Sequence, residues 1–218
     1  MKALIINYQR VTLPARLADW LAAAGCTPVF IDNASTYPPL LDYYFKTEHQ
    51  VILLPKNYGH RVVWDEFAGV LDEVGIQPSE RYIVTDPDLD LSGIPDDWLA
   101  ILDAGLTMYP QLAKVGFSLE INDLPDTAEG RYIRTHVEPQ YWAKPLGSLF
   151  LDAPIDTTFA LYREGTRKFS YTAARTIRPY TARHVPWYYD RLSALPADEQ
   201  FYFRTANASA SGKARLKW

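Results

Sequence analysis

The chain has 218 residues, 48% hydrophobic and 22% charged, with a net charge of −4. That is globular composition, long enough to bury a core without staples; it excludes a disordered chain, and the charge gives no global footprint for nucleic acid. No apolar run approaches the roughly 20 residues that span a bilayer, and with Cys26 as the only cysteine a disulfide within the chain is impossible.

The opening MKALIINYQR lacks the charged leader, apolar stretch and cleavage site of a secretory signal, so a reducing, cytoplasmic setting is expected. Ala3 to Ile6 reads as a strand, and Leu13 to Ala24 carries apolar residues at helical spacing up to Gly25. Pro28 to Ile31 reads as a strand ending in the turn cluster Asp32-Asn33-Ala34-Ser35-Thr36. A helix over Leu40 to Lys46 and a strand over Val51 to Leu54 follow. This β-α-β-α-β order predicts a parallel sheet with helices on its faces. Beyond Asn57-Tyr58-Gly59 the pattern predicts a helix over Val62 to Val74 and a strand over Arg81 to Thr85. A helix over Pro95 to Gly105 comes next, then a strand over Lys114 to Ile121, a weaker helix over Pro139 to Leu146 and a last strand over Ile155 to Tyr162.

No repeat or low-complexity linker divides the sequence. The expected organisation is one α/β domain over 1–207, with a Rossmann-like, nucleotide-fold-like half over 1–90 and a half over 91–207 whose sheet is mixed. Residues 208–218 read as a C-terminal tail.

Asp86, Asp88 and Asp90 stand on alternate residues directly after an apolar strand, with Pro87 restraining the turn. Their carboxylates repel one another unless neutralised. A hard divalent cation, Mn²⁺ or Mg²⁺, takes one or two such ligands together with phosphate oxygens and water, so the expected guest is a metal–diphosphate. The competing reading is a solvated acidic loop, against which stands the rule that open sheets bind ligands at their carboxyl strand ends. His184 offers an imidazole to complete the metal shell, with Arg183 and Arg178 nearby to meet phosphate charge; the alternative is a packed histidine.

In their order, LIINYQR, FIDNAST, LLPKNYG and the DxD-like VTDPDLD resemble the motifs of GT-A nucleotide-sugar glycosyltransferases. KVGFSLEINDLPD, APIDTTFALYR and RHVPWYYD are similar to stretches of small bacterial and viral members related to the family 2-like group. The resemblance implies a single GT-A-type domain. It also implies a metal-dependent hexosyltransferase of polysaccharide biosynthesis, moving a sugar with inversion from a UDP-, GDP- or dTDP-linked donor to a glycan or lipid-linked acceptor. Peripheral membrane association would be compatible with it.

By that resemblance Asn7 and Tyr8 line the base pocket and Asp32 holds the base or ribose. Asn57 and Gly59 let the backbone approach the ligand, and Arg61 reaches a phosphate. Asp86 faces the ribose or sugar, Asp88 and His184 hold the metal, and Asp90 is spare. The acceptor's base is Asp123 or Asp156. Each residue keeps a simpler reading: an Asx turn at Asp32-Asn33, a turn cap or hydroxyl ligand at Asp123, and an anchor for Thr157 and Thr158 at Asp156. Many family members carry an acidic pair as base in a later loop, whereas Arg163 to Arg183 holds only Glu164. Asp198-Glu199 reads first as a helix-capping pair and ranks third, after Asp123 and Asp156, as the base. Tyr141, Trp142, Trp187 and Tyr188 form either an acceptor platform or core.

Two rivals stand beside this function. A nucleotidyltransferase usually shows a Gly-rich loop after the first strand, where this chain has Asn7 to Pro14 without glycine. A non-catalytic carbohydrate- or nucleotide-binding domain would keep the fold without turnover.

Overall fold

A computed structural model describes residues 1–189, 191 and 194–206; the expected tail over 208–218 lies outside the described residues. The chain begins with β1 (Lys2–Asn7), α1 (Thr12–Ala23), β2 (Thr27–Asp32), α2 (Pro38–Lys46) and β3 (Gln50–Leu53), the alternation its periodicity predicts. The strands pair in parallel, with Asn7 opposite Asp32 and Asp32 opposite Leu53, so their carboxyl ends share one edge. Between Lys2 and Asn7, β1 is apolar from Ala3 to Ile6 because both faces are covered. Ala3 and Ile5 pack with Leu17 and Leu21 of α1, while Leu4 and Ile6 belong to the core on the opposite face.

The predicted helix over Val62 to Val74 is broken. A 3₁₀ turn (Val62–Trp64) and the four-residue α3 (Val70–Glu73) replace it. The Asp65 carboxylate accepts hydrogen bonds from the N–H groups of Phe67 and Ala68, and Gly69 adopts a left-handed φ of 60°, so the side chain and the glycine take the backbone out of the helix.

Then come β4 (Tyr82–Thr85), β5 (Leu89–Asp90) and α4 (Trp98–Met108). The α4 helix runs through Gly105 instead of stopping there. A Cβ at Gly105 would lie 2.9 Å from the Phe150 ring, so this glycine serves close packing. The strand expected over Lys114 to Ile121 divides into β6 (Lys114–Gly116) and β7 (Ser118–Leu119), which enter different sheets on either side of Phe117. After α5 (Ala128–Tyr132) and a π turn (Ile133–Val137), the helix expected over Pro139 to Leu146 is instead a 3₁₀ turn (Pro139–Trp142) and β8 (Pro145–Leu146), followed by β9 (Phe150–Asp152).

The strand expected from Ile155 begins only at Phe159, as β10 (Phe159–Tyr162), and it is not the last. β11 (Ala173–Thr176), β12 (Thr181–His184), a 3₁₀ turn (Val185–Tyr188) and α6 (Ala197–Thr205) follow. These late strands are short and carry Arg, Thr and His, which hides them from periodicity.

The nine-stranded sheet runs β3-β2-β1-β4-β10-β6-β11-β9-β8, and a three-stranded sheet runs β5-β12-β7. β10 is antiparallel to both β4 and β6, which makes the large sheet mixed. Gly116 is required there, since a Cβ would stand 1.9 Å from the Phe159 carbonyl oxygen. The architecture is thus mixed α/β with helices on a large mixed sheet. Among the described residues no helix is long and apolar enough to cross a membrane.

Candidate functional site

A cavity of about 350 Å³ opens at the carboxyl edge of β1 and β4. The loop after β1 lines it with Asn7, Tyr8 and Arg10, the later loops with Asn33, Asn57, Gly59 and His60, and the acidic turn with Asp86, Pro87 and Asp88. Asp156, Thr157, His184 and Tyr202 complete much of the wall. Of the residues expected at the site, eight line this cavity: Asn7, Tyr8, Asn57, Gly59, Asp86, Asp88, Asp156 and His184.

Local hydrogen bonds shape the nucleotide side. Asn7, fully buried at the end of β1, donates from Nδ2 to the Arg10 carbonyl at 2.7 Å and to the Tyr44 hydroxyl at 2.8 Å, while its Oδ1 has no hydrogen-bond partner. Gln9 holds a left-handed φ of 64°, and its Oε1 accepts from the N–H groups of Thr36 and Tyr37, tying the first loop to the second. Asp32 accepts from Ser35 N at 2.8 Å, the Asx turn that was its simpler reading, and does not line the cavity. Its neighbour Asn33 does. Asn33 receives Tyr58 N at Oδ1 and donates to the Gly59 carbonyl, which fixes the loop around Gly59 and its φ of 82°. Arg61 turns away from the cavity, its guanidinium 4.2 Å from the Phe169 ring centroid and bonded to the Tyr171 hydroxyl.

The acidic turn is joined to the late histidine by strand pairing. β12 runs antiparallel to β5 with His184 opposite Leu89, and Val185 N donates to the Asp88 carbonyl at 3.0 Å. This sets His184 Nε2 3.5 Å from Asp88 Oδ2. The other atom of each group, Asp88 Oδ1 and His184 Nδ1, is buried without a hydrogen-bond partner. Burial depresses the His184 pKa, with Asp88 opposing, so the imidazole is held neutral and able to act as a ligand. Burial, reinforced by Asp156 and Asp88, raises the Asp86 carboxyl well above the usual carboxylate range. Asp90 accepts from Ser92 N and closes a turn.

Arg10 and Tyr202 escape a reading of the sequence, which marks Glu199 as a cap or a base but not as an arginine's partner. Arg10 lies with Nη2 3.2 Å from Asp88 Oδ2 and Nε 2.7 Å from Glu199 Oε1, and the Tyr202 ring covers its guanidinium at 3.5 Å. Burial lifts the Glu199 carboxyl to about 7 against the pull of Arg10. The available signal was NYQR, a basic residue directly after the first strand; nothing local links it to a helix near residue 200.

On the acceptor side Asp156 is exposed at the cavity and accepts from Thr158 N at 3.1 Å and from the Thr158 hydroxyl. Desolvation would raise its carboxyl, but these bonds outweigh it and keep the pKa low. Asp123 is not among the lining residues. It accepts from Arg183 Nε and the Tyr188 hydroxyl, each at 2.6 Å. Arg178 and Arg183, expected to meet phosphate, face carboxylates instead: Arg178 grips Glu120 through Nε at 2.8 Å and Nη2 at 2.7 Å. Trp142, Trp187 and Tyr188 pack on a small core of Ile121, Leu124 and Ile133, while Tyr141 lies under the Arg175 guanidinium. Trp187 also reaches the site, its ring 4.7 Å from that of His184.

Among the described residues no three His, Cys, Asp or Glu side chains form a ready metal cage. A carboxylate and a neutral imidazole with one free atom each nevertheless suit a divalent ion that draws its remaining ligands from phosphate and water. The chain matches no protein-family model and no curated protein.

Proposed function

We propose that this protein is a GT-A-type glycosyltransferase that moves a sugar, with inversion, from a nucleoside diphosphate to a glycan or lipid-linked acceptor. The observation that carries this reading is the pair of unsatisfied buried atoms, Asp88 Oδ1 and His184 Nδ1, beside a cavity at the carboxyl edge of a largely parallel sheet half. Asn7, Tyr8, Asn33 and Asn57 border the nucleoside, Asp86 faces the ribose or sugar, and Asp88 and His184 hold Mn²⁺ or Mg²⁺. When bound, that ion supplies positive charge to the departing diphosphate.

An acceptor hydroxyl must lose its proton as it attacks. Asp156 borders the cavity and is the better placed of the two carboxylates for that task, whereas Asp123 is engaged by Arg183 and Tyr188. A cytoplasmic enzyme of polysaccharide assembly fits this chemistry. The test is a thermal-shift screen of UDP-, GDP- and dTDP-sugars with Mn²⁺ or Mg²⁺, followed by donor hydrolysis. Stabilisation by one donor only with the metal, and hydrolysis of that donor, are expected. Binding without hydrolysis would leave a non-catalytic binding domain; no stabilisation by any donor would remove the donor site.

A further inference from the structure

Four arginines lie near enough in sequence or space to the site to be considered for a phosphate, and three are occupied elsewhere. Arg61 is bonded to Tyr171, Arg178 to Glu120 and Arg183 to Asp123. Arg10 is the one arginine or lysine among the cavity-lining residues. It is 5% exposed, and it is held from three sides: Asp88 at 3.2 Å, Glu199 at 2.7 Å and the Tyr202 ring at 3.5 Å. Two of these, Glu199 and Tyr202, come from α6. The same helix is tied to the first loop by Asp198, which accepts from Val11 N and Thr12 N.

We propose that Arg10 binds the diphosphate of the donor, and that Glu199 is the positioning residue that aims its guanidinium. This rests on the reading that the cavity takes a nucleoside diphosphate. Asp88 then has divided duties. Its Oδ2 contacts Arg10 while Oδ1 has no hydrogen-bond partner, so one carboxylate would hold a metal ion and the guanidinium together, each supplying positive charge to a diphosphate. A planar fork with five donors suits phosphate oxygens better than an ammonium does. The ring and the glutamate fix its rotamer before the ligand arrives, which reduces the ordering cost of binding. The last described helix is therefore part of the donor site although its backbone is remote in sequence.

The experiment compares wild type, Arg10→Gln, Arg10→Lys and Glu199→Gln for binding of UDP, GDP and dTDP in Mn²⁺ by calorimetry, and of the matching free nucleoside by ligand-detected NMR. Arg10→Gln is expected to weaken the diphosphate roughly 10- to 100-fold while the nucleoside changes little, since only phosphate meets the guanidinium. Arg10→Lys should recover part of the loss, and Glu199→Gln should weaken the diphosphate about 3- to 10-fold. Should Arg10→Gln leave a buried, unpaired glutamate that prevents folding, the double variant Arg10→Gln/Glu199→Gln removes both charges and is read in its place. Diphosphate affinity within about twofold of wild type would overturn the proposal, as would an equal fall for nucleoside and diphosphate. Wild type binding none of the three diphosphates would overturn the donor-site reading itself, and Arg10's role with it.

Discussion

Asp198 accepts hydrogen bonds from the backbone N–H groups of Val11 and Thr12 at 2.8 and 2.6 Å, so the last described helix caps the first. Its Oδ1 takes the Thr12 hydroxyl as well. In α1 the N-cap residue is Val11, which has no side-chain oxygen to offer. The carboxylate supplies what the local sequence lacks, and it places negative charge at the positive end of a helix. Asp198 was expected to cap its own helix; it caps α1 instead.

Asp198→Ala should therefore cost about 1–2 kcal/mol of stability, with Asp198→Asn recovering part. Urea unfolding followed by circular dichroism reads this directly. A change of only a few tenths of a kcal/mol would mean that water satisfies those N–H groups equally well.

Asp88→Ala should abolish metal-dependent donor binding, by roughly 100-fold or more, with the secondary structure intact. The Arg10–Glu199 pair survives in that variant and limits the structural damage. Calorimetry with uridine or guanosine diphosphate and Mn²⁺ checks it, and an unchanged affinity would refute the metal site.

Asp156→Asn should retain donor affinity and lose transfer by roughly 10² to 10⁴-fold, the usual worth of a general base. Asp123→Asn should weaken transfer less, because its carboxylate is already held by Arg183 and Tyr188. Turnover assays on both variants decide between them. Normal turnover in the doubly substituted enzyme would exclude both as the base.

Glu138 gives a prediction about pH. It lies 3.3 Å from Arg175, and burial pushes its carboxyl from an ordinary 4.5 up to about 7 despite that partner. The folded protein thus holds a proton that the unfolded chain releases near 4.5. Its contribution to stability is complete below 4.5 and is lost as pH rises through 7. Glu138→Gln imitates the protonated form at every pH. The stability of wild type minus that of the variant should fall across this interval by up to about 3 kcal/mol, at ~1.4 kcal/mol per pKa unit. Urea unfolding at a series of pH values measures it; a flat difference would show that Glu138 ionises normally.

The sequence by itself determined most of the first half of the fold, the helix expected over Val62 to Val74 apart, and the position of the acidic turn. Long apolar runs and amphipathic spacing report burial directly, so β1, α1, β2, α2, β3 and β4 stand where periodicity places them. It did not determine the later half. There the strands are short and polar, and a glycine inside α4 packs against Phe150 rather than ending the helix; in the first half Asp65 with Gly69 breaks an apparently continuous one. Only tertiary structure decided which charged residues meet. His184 reaches Asp88 through pairing of β12 with β5, and Arg10 finds Glu199 across 189 positions because α6 docks on the first loop. Local spacing records the face a side chain presents, whereas the partner of a buried charge is set by whichever distant element covers it.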